Sequence, residues 1–160
     1  MQSLHAKIEI QAPIDRCFDI VRSIKAHEDT STLISGRAVA GKTSGLSELG
    51  DETTWSAKLL GIRLRVRTRI SEINSPSWIL EERVSGIVRH FTHRYQLSPH
   101  NNITTVSDTF EIGLPGGFLG DFFLKLFLLN TLRKVQKHRL EAIRKICESN
   151  EWKNERYACG

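Results

Sequence analysis

The clearest chemistry in this chain belongs to an imidazole and a carboxylate, His93 and Asp108, set among apolar residues. Residues 87–98 and 103–112 both alternate as strands. A turn centred on His100-Asn101 would place His93 opposite Asp108, Phe91 opposite Phe110, Tyr95 opposite Val106 and Leu97 opposite Thr104. The other face of this pair carries His90, Thr92, Arg94, Gln96, Thr105, Ser107, Thr109 and Glu111, all polar, so it faces solvent. A one-residue slip would bury that row, so the pattern fixes which face is inward. The inward His93 and Asp108 fit three roles. They can satisfy each other as a buried pair. They can orient the polar head of a ligand in an apolar pocket. They can also form an acid/base pair in which the carboxylate orients the imidazole. The sequence places no Ser or Cys nucleophile beside them, which counts against acyl transfer.

Other residues could extend such a site. Trp55 alternates with Thr53, Ala57 and Leu59 and is expected to point inward. Phe122, Phe123 and Phe127 sit early in a helical segment and serve equally as core or as pocket wall. Glu81 and Glu82 are adjacent on a strand, so one faces in and one out, and the sequence does not choose. Arg63, Arg65, Arg67 and Arg69 make a basic row on the outer face of one strand. That row suits a solvated surface or docking on phosphates and anionic lipid. Gly36 to Thr43 matches the phosphate-loop pattern G-x-x-x-x-G-K-[ST]. Neither the buried strand before it nor the helix after it is present in the pattern, so the match is coincidental.

These residues are positioned by a simple succession of elements. Residues 5–11 alternate as a strand ended by Ala12-Pro13, and Pro13 suits the first turn of a helix carrying Ile14, Cys17, Phe18 and Val21. A second short helix covers 25–33. Four glycines punctuate 36–50, read as a short strand and a loop. Strands follow at 53–60, 62–73, 77–85, 87–98 and 103–112. After Leu114-Pro115-Gly116-Gly117, an amphipathic helix is expected from Gly120 to Glu148, roughly 40 Å long. No short strand matches that length, so the helix must lie across the sheet. The expected class is α+β, helices on one face of an antiparallel sheet. The division is a domain over 1–149 and a loose tail over 150–160.

Composition narrows the partners. The 23 basic and 18 acidic residues leave a net charge of +5, enough for weak attraction to an anionic membrane but not for a nucleic-acid-binding expectation. Three cysteines, Cys17, Cys147 and Cys159, lack any metal-binding spacing. They are expected as free thiols, Cys17 in the core and Cys159 exposed in the tail. No metal or cofactor is expected. No apolar run at the N-terminus resembles a signal peptide, and the expectation is a cytoplasmic protein.

Several segments together resemble the START-like (SRPBCC) superfamily of helix-grip proteins. They are Ile8 to Asp19, Ala40 to Gly45, Leu49 to Trp55, Phe91-Thr92-His93, Asp108 and Leu114 to Gly120. The resemblance spans about 4–148. The His strand, where similar bacterial proteins often read F-x-H-x-H-x-F, points to a bacterial subgroup of uncertain function. Here Tyr95 stands at the second His position and Leu97 at the final Phe. The resemblance implies a curved seven-stranded sheet around a long C-terminal helix, two short helices after the first strand, and a ligand cavity between them. It also implies binding of a small hydrophobic, lipid-like or polyketide-like molecule. The pocket expected on that basis is lined by Trp55, Phe91, His93, Tyr95, Asp108, Phe110, Phe122 and Phe127. The alternatives are a cyclase, dehydratase or isomerase using His93 with Asp108, and docking through the basic strand face.

Overall fold

The structure, a computed structural model, describes residues 1–157, apart from the Leu124 side chain. Cys159, expected in the tail, lies outside the described residues. Strands β1 (Gln2–Ile10), β2 (Arg37–Gly41), β3 (Glu52–Leu59), β4 (Ile62–Asn74), β5 (Trp78–Gly86), β6 (His90–His100) and β7 (Ile103–Gly113) form one antiparallel sheet. The order is β1-β7-β6-β5-β4-β3-β2, so the first strand lies beside the last and β1 and β2 form the two edges. Helices α1 (Ile14–Arg22) and α2 (Ile24–Thr30) follow β1. Ser23 separates them, its side chain accepting from the Ala26 amide to start α2.

Curvature enters at β4, where register shifts occur between Arg67 and Thr68 and between Ile70 and Glu72. Such irregularities bend a strand and increase its twist. Gly86 ends β5 at φ +130°, and a Cβ there would lie 2.6 Å from the Arg65 carbonyl oxygen. Only glycine allows β5 to approach β4 so closely.

The β6–β7 hairpin differs from expectation by two residues. Its loop is Asn101-Asn102, both at positive φ (46° and 66°), not His100-Asn101. Two consecutive left-handed residues are what a tight hairpin turn demands, and Asn tolerates them. Consequently His93 faces Phe110, Tyr95 faces Asp108, Leu97 faces Val106 and Phe91 faces Ile112. A shift of two preserves the faces, so the inward and outward sets stand as read.

The C-terminal helix begins earlier than expected, as α3 (Gly117–Phe123). It passes through a π-helical turn (Leu124–Leu128) and continues as α4 (Leu129–Glu148). α4 buries Leu129, Leu132, Val135, Leu140, Ile143, Ile146 and Cys147 against the sheet and the helices α1 and α2. Phe122 and Phe123, expected on the same stripe, are exposed, as are Phe118 and Leu119. The π turn carries one residue more per turn than an α-helix, so the apolar face of α3 is rotated out of line with that of α4.

The segment after Ser149 turns back in two short 3₁₀ turns, Glu151–Lys153 and Glu155–Tyr157. Tyr157 is buried, Trp152 packs against the core, and Arg16 stacks on the Trp152 ring at 4.1 Å. Among the described residues no helix is long and apolar enough to cross a membrane.

Candidate functional site

A polar belt crosses the interior at one level. Along β6, Leu97 and Tyr95 belong to one apolar cluster and Phe91 to another, with His93 between them. On β7, Val106 and Phe110 flank Asp108 in the same way. On β4, Ile70 and Val66 flank Thr68. Strand alternation supplies one inward polar group per strand. α4 completes the belt, because Gln136 and Arg139 fall on its buried stripe. From β5, Glu81 is the inward carboxylate and Glu82 the exposed one.

The belt is densely bonded. His93 Nε2 donates to Asp108 Oδ1 at 3.1 Å, and His93 Nδ1 lies 3.8 Å from Glu81 Oε2. Gln136 Nε2 donates to the Asp108 main-chain oxygen at 3.0 Å and to Oδ1 at 3.2 Å. Trp55 Nε1 donates to Glu81 Oε1 at 2.8 Å, and Thr68 Oγ1 donates to the same oxygen. Arg139 Nη2 donates to Ser31 Oγ at 3.0 Å. The His27 ring stacks on Trp55, centroids 4.1 Å apart, and lies 6.3 Å from the His93 ring.

These neighbours set the charges. Burial alone would depress His93, but the Asp108 charge and hydrogen bonds to Asp108 and Glu81 outweigh it and raise its pKa above the ordinary imidazole value. Burial likewise opposes the charge on Asp108, and the His93 cation, Arg139 and Gln136 overcome it, holding the carboxyl below its usual range. Glu81 is also lowered, burial being outweighed by His93, Thr68 and Trp55. His27 is pushed well below the imidazole range by burial and by the Arg139 and His93 charges, so it stays neutral. Burial and the Asp108 charge raise Tyr95, keeping its hydroxyl protonated. The shifts thus favour two anions, Glu81 and Asp108, set against two cations, His93 and Arg139.

Beside the belt lies a cavity of about 130 Å³. Leu59, Leu64, Val66, Val88, Ile112 and Leu132 form much of its apolar wall, and His27, Glu81, His93 and Arg139 its polar end. Of the residues expected to line a pocket, Trp55, Phe91, His93 and Phe110 do so. Tyr95 and Asp108 are not on this wall. They sit behind His93, against voids of about 30 and 50 Å³ respectively. Phe122 and Phe127 are not brought to the site at all, since both are half-exposed, Phe122 on α3 and Phe127 within the π turn. The basic row on β4 is exposed as expected, but Arg67 and Arg69 both pair with Glu52 on β3.

Four contributors were not singled out from sequence: His27, Thr68, Gln136 and Arg139. For Gln136 and Arg139 the signal was present, as two polar residues three apart on an otherwise apolar helical stripe.

No protein-family model matches the chain, and no curated protein is a match. Solved structures do match. The protein TTHA0849 from Thermus thermophilus is 15% identical with a TM-score of 0.73, covering 90% of this chain and 95% of its own. A START superfamily protein from Mycobacterium smegmatis is 14% identical with a TM-score of 0.63, covering 91% and 97%. Major latex-like protein 151 from Panax ginseng is 8% identical with a TM-score of 0.64, covering 92% and 98%. Identities this low speak to architecture only. With its seven-stranded antiparallel sheet, paired helices after β1 and long C-terminal helix, the chain has the START-like helix-grip fold.

Proposed function

We propose that this protein binds a small hydrophobic molecule in its interior cavity and holds the polar end of that molecule at the belt. The observation that carries this reading is the cavity itself, apolar on its walls and charged at one end. Ligand sites are commonly built so, apolar for affinity and polar at a few points for orientation. The volume refines the ligand expected from sequence. An engineered apolar cavity of about 150 Å³ takes up benzene, so about 130 Å³ suits a single ring rather than a diacyl lipid or a fused polyketide. Native mass spectrometry of gently purified protein tests the reading. A co-purifying small molecule, or saturable uptake of one-ring compounds, supports it. Neither a bound mass nor uptake of any such compound would end it.

A second reading is favoured by one observation, the raised His93 between two carboxylates at the cavity wall. In that setting both nitrogens face carboxylates, which favours the protonated imidazole. It would act as a general acid rather than the base suggested by an isolated His–Asp pair. His93→Gln should then abolish turnover of a bound substrate while leaving binding within a few-fold. Loss of both together assigns His93 to binding alone.

A further inference from the structure

We propose that the Arg139 guanidinium is the recognition group of the cavity and that the ligand is an uncharged, single-ring molecule bearing one acceptor oxygen, such as a cyclic ketone. This rests on the binding reading above and names the chemistry of the ligand within it.

The first argument is unmet hydrogen-bonding capacity. Arg139 is only 8% exposed and lies on the cavity wall. A guanidinium carries five N–H donors. Among the described residues Nη2 donates to Ser31 Oγ, the Tyr95 hydroxyl also lies beside the guanidinium, and Nε is buried without a partner. Neither Asp108 nor Glu81 takes a hydrogen bond from it; Asp108 Oδ1 accepts from His93 and Gln136, and Glu81 Oε1 from Trp55 and Thr68. A buried guanidinium left so incompletely bonded is costly. An oxygen brought in by a ligand relieves that cost, and a hydrocarbon does not.

The second argument is charge balance. Glu81 and Asp108 are countered by His93 and Arg139, and His27 is neutral. A ligand anion would add negative charge beside Glu81 on the cavity wall, whereas a neutral oxygen adds none. The third argument is space, because about 130 Å³ leaves room for one ring and most of the wall away from the belt is apolar.

Three probes of similar size separate the possibilities: cyclohexanone, toluene with as many heavy atoms, and the benzoate anion. Binding is read by saturation-transfer NMR of the probes and by the change in Trp55 emission. The expected result is that cyclohexanone binds at least tenfold more tightly than toluene or benzoate, and that Arg139→Met removes its advantage over toluene. If Arg139→Met does not fold, Arg139→Lys decides, since it keeps the charge without the planar fork and should reduce the preference several-fold. Toluene binding as tightly as cyclohexanone would overturn the proposal and leave the binding reading intact, and tighter binding of benzoate would overturn neutrality. Failure of all three to bind would overturn both proposal and reading.

Discussion

His93 stands opposite Glu81 across the β5–β6 ladder, yet its shorter contact runs diagonally to Asp108 on β7, at 3.1 Å against 3.8 Å. Diagonal neighbours on a sheet lie within reach of a long or aromatic side chain. One imidazole thereby bridges three strands and ties two carboxylates that would otherwise repel. Removing any member leaves a buried charge without its counterpart.

Asp108→Ala is therefore expected to destabilise the fold by about 3–5 kcal/mol, the usual cost of breaking a buried pair. In a double-mutant cycle with His93→Ala, the two losses should fall short of additivity by about 0.5–3 kcal/mol. Urea unfolding of the four proteins measures this, and strict additivity would show that the two side chains do not interact.

Stability should depend on pH in two opposed ways. His93, raised in the fold, contributes stability that is full below its ordinary value of about 6.5 and is lost as pH rises through the raised value. His27, lowered in the fold, acts in reverse. The unfolded imidazole takes up a proton first, so stability falls as pH drops below about 6.5. Asp108 and Glu81 add a loss further down, as pH falls through their lowered values. The thermal midpoint should peak at a pH of about 6.5. His27→Gln should flatten the first acid decline and leave the alkaline one. A midpoint that rises on acidification below about 6.5 would contradict the His27 assignment.

The exposed phenylalanines give a contrast with the cavity wall. Phe122→Ser should change stability by no more than about 0.5 kcal/mol and leave probe binding unaltered. Leu132→Ala, at a buried position beside the cavity, should cost about 2–5 kcal/mol. Thermal melts with and without probe distinguish them, and a binding defect in Phe122→Ser would return that residue to the site.

Asn102 holds φ at 66°, a region that β-branched residues resist. Asn102→Val should lower stability by about 1–3 kcal/mol, whereas Asn102→Gly should be neutral or slightly stabilising. Equal melting curves for the two variants would mean the hairpin has another turn.

Much of the architecture was legible because alternation and turn residues determine the strands nearly one by one. The inward set on β6 and β7 was readable for the same reason. The register was not, because Pro99-His100-Asn101-Asn102 offers more than one two-residue turn and only the left-handed geometry of both asparagines decides. Glu81 could not be separated from Glu82 without knowing the shifts in β4. Gln136 and Arg139 escaped notice because strand alternation says nothing about which helical face a sheet receives. Phe122 and Phe127 misled because a constant helical period was carried through a turn that does not keep it.

Gln136 and Arg139 have a consequence for assembly of the molecule. Each reaches off α4 to a specific partner, Asp108 and Ser31. Sliding α4 along the sheet by one turn would bring Leu132 or Leu140 to the level of the carboxylates and strand both polar side chains in hydrocarbon. Grease alone would tolerate many such placements. The two hooks act as a key and keyway, admitting a single seating of helix on sheet and so defining the chamber between them.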